Sequence, residues 1–257
     1  SNKEGVVYYK KELISLIRFL EEKTGKKLDM DQFREVLTLS RQAYEAFYEV
    51  GEMRKTIPTP LRARDALRNY TVFKHLAGTT IGVDYFETLR DEVKEQVGQG
   101  KGAVTDERHR IYWVLSPPNY ALNIFDWMED EHGAVIVMDV FNRLGQLEMD
   151  LSDPLEYLSL KSFKEILTES AGGPLELMVE DALRICRDYK VDGAVYLTQI
   201  GCKQSCGTIR SLQDALRNEL DLPILIMDGD IIDPTILPVD QMKTKLEGFF
   251  EMLEDRA

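Results

Sequence analysis

Four short apolar runs in the second half of the chain constrain its fold more than any other feature. They are Ile111-Tyr112-Trp113-Val114-Leu115, Ala134-Val135-Ile136-Val137-Met138, Gly193-Ala194-Val195-Tyr196-Leu197-Thr198 and Pro223-Ile224-Leu225-Ile226-Met227. Each is short, holds β-branched or aromatic residues, and gives way to a polar loop. Runs that are apolar without alternation suit strands buried on both faces, as in a parallel sheet. Helical patterns fall between them, at 119–131, 175–189, 208–220 and 239–253. Strand alternating with helix builds right-handed crossovers. The pattern predicts an α/β region with a four-stranded parallel sheet, Rossmann-like or flavodoxin-like. Residues 140–173 read as a long loop with one short helix.

The first hundred residues instead carry helical periodicity throughout. Leu13, Ile14, Ile17 and Leu20 share a face, and Gly25 ends that helix. Asp29 is placed to cap a second helix with the stripe Phe33, Val36, Leu37, Tyr44, Phe47. Thr59-Pro60 reads as the N-cap and first turn of a third, stopping near Gly78. Val83, Phe86, Leu89, Val93 and Val97 line a fourth. The run Gly98-Gln99-Gly100-Lys101-Gly102 reads as a linker, dividing the chain into a helical region (1–102) and a sheet domain (103–257).

Bulk properties exclude several functions. A formal net charge of -13 argues against a nucleic-acid partner, which needs clustered Lys and Arg. No apolar stretch reaches membrane-spanning length, and no secretory leader is visible. Three cysteines in 257 residues make no disulfide framework, so a reducing, cytoplasmic setting is expected.

In a parallel sheet the loops after the strands share one edge, and open α/β sheets take their ligands there. These loops are Ser116-Pro117-Pro118-Asn119-Tyr120, the stretch from Asp139, the stretch from Gln199 through Gly201 and Cys202 to Cys206, and Asp228-Gly229-Asp230-Ile231-Ile232-Asp233-Pro234. A thiol at the start of a helix suits metal binding or redox work, which singles out Cys202. Plainer readings stand beside this. Cys202 and Cys206 can equally be idle thiols; C-x-x-x-C is neither zinc-ribbon nor thioredoxin spacing, and two thiolates do not complete a four-ligand site. Cys186, next to Ile185 within a helix, reads as core. The acidic loop reads as a solvated turn and the Pro-Pro pair as structural. His75, His109 and His132 show no metal spacing, and His132 before Gly133 suits a helix C-terminus. G-x-S-x-G, phosphate-loop, dinucleotide and H-E-x-x-H motifs are absent, so no catalytic residue is assigned.

The order of segments resembles the 2-hydroxyacyl-CoA dehydratase and benzoyl-CoA reductase family, and specifically its D-component-type subunits. The likeness rests on Arg110 through Tyr120, on Asp192-Gly193-Ala194-Val195-Tyr196 with Gln199-Ile200-Gly201-Cys202-Lys203, and on Asp228 through Pro234. The closing helix with Gln241, Lys243, Thr244, Lys245, Glu247, Phe249 and Phe250 adds to it, as does Leu20-Glu21-Glu22-Lys23-Thr24-Gly25-Lys26-Lys27.

The resemblance implies a [4Fe-4S] cluster held by cysteine thiolates, with Cys202 at the position of the ligand from the C-terminal α/β domain. The other cluster cysteines of the family lie in an N-terminal domain without counterpart in these residues. The chain is therefore expected to be a C-terminal fragment or a shortened relative, with little cluster of its own. The implied reaction removes water from an (R)-2-hydroxyacyl-CoA. One electron on the thioester carbonyl gives a ketyl, which expels the hydroxyl and acidifies the β-hydrogen. A related second subunit and an ATP-dependent activator are the implied partners. The substrate-binding candidates are Ser116, Pro117, Asn119, Gln199, Asp228 and Asp230. Three other readings stay open: ring reduction of the benzoyl-CoA type, a non-catalytic subunit, and a thiol redox protein using Cys202 and Cys206.

Overall fold

The computed structural model describes residues 3–145, 150–164 and 172–256. Four helices come first: α1 (Lys3–Thr24), α2 (Met30–Met53), α3 (Ala63–Leu76) and α4 (Thr80–Gly98). The sheet region follows as β1 (His109–Trp113), α5 (Ile124–His132), β2 (Ala134–Asp139), α6 (Pro154–Lys164), α7 (Leu175–Asp188), β3 (Gly193–Gln199), α8 (Lys203–Leu220), β4 (Ile224–Gly229) and α9 (Val239–Glu254). The α6 helix is the short helix expected within 140–173; residues 146–149 and 165–171 of that stretch lie outside the described residues.

The four strands form one all-parallel sheet in the order β2-β1-β3-β4. This is the flavodoxin-like order. Side chains alternate across it, so each strand feeds two cores. Ile111, Trp113, Ile136, Val195, Leu197 and Met227 pack against α3, α5 and α9, chiefly on Ile124, Met128, Leu246 and Phe250. Tyr112, Val114, Val137, Met138, Ala194 and Tyr196 pack against α7 and α8. Both faces are therefore dry, which is why the strands read as continuous apolar runs. A third core, with Phe47, Phe73, Phe86 and Val93 at its centre, joins α2, α3 and α4.

Buried polar contacts join the helical region to the sheet. Arg110 of β1 donates through Nε to the Tyr189 carbonyl (2.8 Å), through Nη2 to the Arg54 carbonyl (3.1 Å), and through Nη1 to Thr56 O (3.1 Å), Thr59 Oγ1 (2.7 Å) and Glu107. Arg54, itself buried, donates to the Ile136 carbonyl of edge strand β2 at 2.7 Å. The glycine-rich run after α4 turns back rather than spanning a gap. Gly100 adopts φ +65°, Lys101 N–H returns to Gln96 O at 2.9 Å, and Ala103 N–H reaches Thr59 O at 2.6 Å.

Three helix starts differ from the sequence expectation. The α3 helix begins at Ala63, not at Thr59-Pro60, because the Thr59 N–H is taken by Glu107 and its hydroxyl by Arg110. The cap comes from far along the chain instead: buried Glu129 accepts from Ala63 N–H at 2.7 Å and Arg62 Nε at 2.6 Å. The α5 helix begins at Ile124 because residues 119–123 form turns, with Ala121 N–H on Pro118 O and Ile124 N–H on Ala121 O. It ends as expected at His132, with Gly133 left-handed at φ +58°. The α8 helix begins at Lys203, not Thr208. Its first buried positions are Ser205 and Thr208, so its inward face carries no apolar signal there.

His109 opens β1 in a buried position, stacked on Phe250 at 5.8 Å with Nε2 3.8 Å from Glu254. Burial lowers its pKa from the ordinary 6.5, outweighing the pull of Asp192 and Glu254. Between the folded and unfolded pKa values the unfolded chain binds more protons, so stability is full above pH 6.5 and falls as pH drops below it. The slope from this group is at most about 1.4 kcal/mol per pH unit. His109→Phe keeps the stacking and should flatten the acid side of a urea-denaturation series. Parallel curves for variant and wild type would show that His109 makes no contribution.

Candidate functional site

The chain leaves β1 outward to β2, then returns to place β3 on the other side of β1 and continues outward to β4. The reversal makes the C-terminal ends of β1 and β3 a topological switch point, where adjacent loops part and a crevice can open. The loops after these two strands are the ones that carry Ser116–Tyr120 and Gln199–Cys206.

Three of the four strand-end loops are tied together. Gln199 bridges two of them: its Nε2 donates to Asp230 Oδ2 at 2.6 Å, and its Oε1 accepts from Ile231 N–H at 2.8 Å. Ile200 N–H reaches Gly229 O at 3.1 Å. Asp230 Oδ1 accepts from the N–H groups of Ile232 (2.8 Å) and Asp233 (3.0 Å). These two backbone donors, then the Gln199 amide, hold the Asp230 carboxyl below its usual range. The β1 loop joins through Asn119 N–H to Ile231 O (2.8 Å) and Tyr120 OH to Leu237 O (2.6 Å). Trp113 Nε1 donates to Ser116 O at 3.2 Å. The β2 loop is held locally: Asp139 accepts from Phe141 N–H, Asn142 N–H and Asn142 Nδ2, and Arg143 pairs with Asp181.

Cys202 is the N-cap of α8. Its Sγ accepts from Ser205 N–H at 3.4 Å, its own N–H returns to Gln199 O at 2.8 Å, and it is half-buried. Cys206, one turn on, is exposed, with Sγ donating to Gln199 O at 3.5 Å. Cys186 is buried in α7, and burial pushes its thiol up to about 12, which makes it an inert core residue. Ile200 and Ile232, 50% and 67% exposed, form an apolar rim on the same two loops as Cys202 and Asp230.

The sequence candidates thus fall on one edge, with different engagements. Gln199 and Asp230 spend their side chains on each other and on loop backbone, so they shape the edge. Asp228 is exposed and accepts from the Thr198 hydroxyl at 3.1 Å. Ser116 is half-buried, Pro117 buried and Asn119 exposed. Sequence reasoning missed Ser205 and Tyr196, which hold the Cys202 loop from beneath. The available signal was a tyrosine in the middle of an apolar strand.

Among the described residues no three His, Cys, Asp or Glu side chains gather to hold a metal ion. A [4Fe-4S] cluster is held by four ligands, usually thiolates. One half-buried, oriented thiol fits one corner of such a group and not the whole of it. No helix of the described residues is long and apolar enough to cross a membrane.

Comparison with known proteins places these features in context. Residues 1–253 match the family model described as 2-hydroxyglutaryl-CoA dehydratase, D-component. The chain is 27% identical to a benzoyl-CoA reductase subunit of Thauera aromatica, over 94% of its own length and 58% of the relative's. It is 24% identical to the (R)-phenyllactyl-CoA dehydratase alpha subunit of Clostridium sporogenes, covering 98% and 60%. It is 25% identical to the (R)-2-hydroxyglutaryl-CoA dehydratase alpha subunit of Acidaminococcus fermentans, covering 98% and 52%. The chain therefore spans 52–60% of the length of these relatives.

Proposed function

The chain belongs to the 2-hydroxyglutaryl-CoA dehydratase D-component family, and on that premise we propose that it serves a 2-hydroxyacyl-CoA dehydratase as one of two related subunits. The reaction is a radical elimination of water from an (R)-2-hydroxyacyl-CoA, with Cys202 as one thiolate ligand of a [4Fe-4S] cluster and an ATP-dependent activator as electron donor. The observation that supports this reading is Cys202 itself: a half-buried thiol fixed at a helix N-terminus beside the β1/β3 switch point. Its free thiols suit a reducing, cytoplasmic setting.

When bound, an iron–sulfur cluster supplies a Lewis-acidic iron and one-electron chemistry. The chain's own residues do the rest. The Cys202 sulfur would supply one ligand to the cluster. The Gln199–Asp230–Ile231 clamp and the Asn119–Ile231 bond keep the loops at fixed separation, which holds a bound thioester in one orientation. Ile200 and Ile232 present exposed apolar surface on these loops that a bound acyl group would cover.

A second reading, ring reduction, draws on the benzoyl-CoA reductase subunit among the relatives. Anaerobic incubation of the full gene product with its second subunit, activator and ATP separates the two. Conversion of an (R)-2-hydroxyacyl-CoA to its 2-enoyl-CoA is expected. Reduction of an aromatic acyl-CoA without dehydration would favour the second reading, and turnover of neither would overturn both.

A further inference from the structure

The buried face of α8 begins with two polar residues, Ser205 and Thr208, and only then turns apolar at Leu212 and Leu216. Hydrophobic packing alone gives no reason for a buried hydroxyl at that place, and a buried polar group is costly unless paired. Ser205, 3% exposed, is paired at all three of its polar groups. Its N–H donates to Cys202 Sγ at 3.4 Å. Its Oγ accepts from Gln199 N–H at 3.1 Å. Its carbonyl accepts from Tyr196 OH at 2.8 Å. Tyr196 is fully buried in β3, and burial raises its pKa, so the hydroxyl stays a donor.

We propose that Ser205 is the positioning residue of Cys202, with Tyr196 as its anchor. The strand fixes the Tyr196 hydroxyl, which fixes the Ser205 carbonyl and with it the first turn of α8. The main-chain N–H of Ser205 then sets the direction of the Cys202 sulfur. Through its Oγ the same residue holds Gln199, whose side chain clamps Asp230 and Ile231. One buried serine thereby couples the thiol to the acidic loop 31 positions along from Gln199. A hydrogen-bonded network anchored on two buried residues, Tyr196 and Ser205, specifies one geometry. That the positioned thiol ligates a cluster rests on the preceding reading; the positioning does not, and its test reads the thiol alone.

The test is site-resolved alkylation of the native full chain by N-ethylmaleimide, followed by peptide mass analysis of Cys202, Cys206 and Cys186. Tyr196→Phe preserves the ring and removes the hydroxyl's contacts with Ser205 O and Thr208 Oγ1; Ser205→Ala removes the bond from Gln199 N–H alone. Both should speed alkylation of Cys202, Ser205→Ala by about fivefold, the effect of one lost neutral hydrogen bond on local opening. Cys186, in the core, should stay as protected as in wild type, and Ser205→Thr, which keeps the hydroxyl, should restore slow alkylation. An unchanged Cys202 rate in both variants would overturn the proposal. So would a rise matched by Cys186, since that reports global loosening.

Discussion

Replacing Arg54 with alanine should destabilise the fold by about 1.5–3 kcal/mol, the worth of a buried hydrogen bond from a charged donor. Arg54 is 1% exposed and ends α2, yet its guanidinium reaches into the sheet to the Ile136 carbonyl. Burial pushes its pKa down, and the carboxylate of Asp139 is the largest influence holding the charge in place. Burial likewise pushes Asp139 up, and Arg54 is the first of the groups that oppose it. Among the described residues the two side chains make no ion-pair contact, so each favours the ionised form of the other only through the field, while Asp139 keeps its own bonds to Phe141 and Asn142. Edge strand β2 would also lose the donor on its outer carbonyl, at a position where unpaired backbone invites misassociation. A loss of this size is between about a tenth and three fifths of the stability of an ordinary domain. Urea denaturation of Arg54→Ala, Asp139→Asn and the double variant Arg54→Ala with Asp139→Asn gives the check. The sum of the two single losses should exceed the loss in the double variant by the electrostatic coupling between the two groups. A change below about 1 kcal/mol in Arg54→Ala would remove the Arg54 bond to the Ile136 carbonyl from the account of stability.

The largest functional effect is expected at Cys202. Cys202→Ala leaves α8 without its cap and the proposed cluster without one thiolate, so dehydration should fall to background while the fold persists. Cys206→Ala should leave dehydration unchanged, because Cys206 is exposed and its sulfur contacts only loop carbonyls. The two thiols are separated by one helical turn, so equal treatment by the same chemistry makes the second an internal control for the first. Were the chain a thiol redox protein, the order would change: both variants would lose a titratable disulfide and iron would be irrelevant.

The sheet was legible in the sequence because both of its faces are dry, leaving four apolar runs with nothing else to be. The gathering of Gln199, Cys202 and Asp230 on one edge followed from a parallel sheet, whereas the strand order that makes the switch point is visible only in the structure. Starts of helices were less legible, for a shared physical reason. Ala63 is capped by Glu129 from 66 positions away, and Thr59, which has the local features of a cap, is claimed by Glu107 and Arg110. The first turn of α8 hides because its buried positions are polar. Arg110 and Arg54 were invisible for the same reason: a buried arginine is explained by carbonyls on distant segments, which no local pattern records. Gln199 and Asp230 are substrate-contact candidates in the sequence, which gives no sign that their side chains are bonded to each other in the structure.

Iron loading tests the role of Cys202 most directly. The full gene product, reconstituted anaerobically with iron and sulfide, is compared as wild type, Cys206→Ala and Cys202→Ala by iron content per chain and Mössbauer spectroscopy. Wild type and Cys206→Ala should load equally and give the same cluster spectrum, while Cys202→Ala should load poorly or give an altered spectrum. Equal loading with an unchanged spectrum in Cys202→Ala, or no iron in the wild type, would contradict the assignment of Cys202 as a cluster ligand.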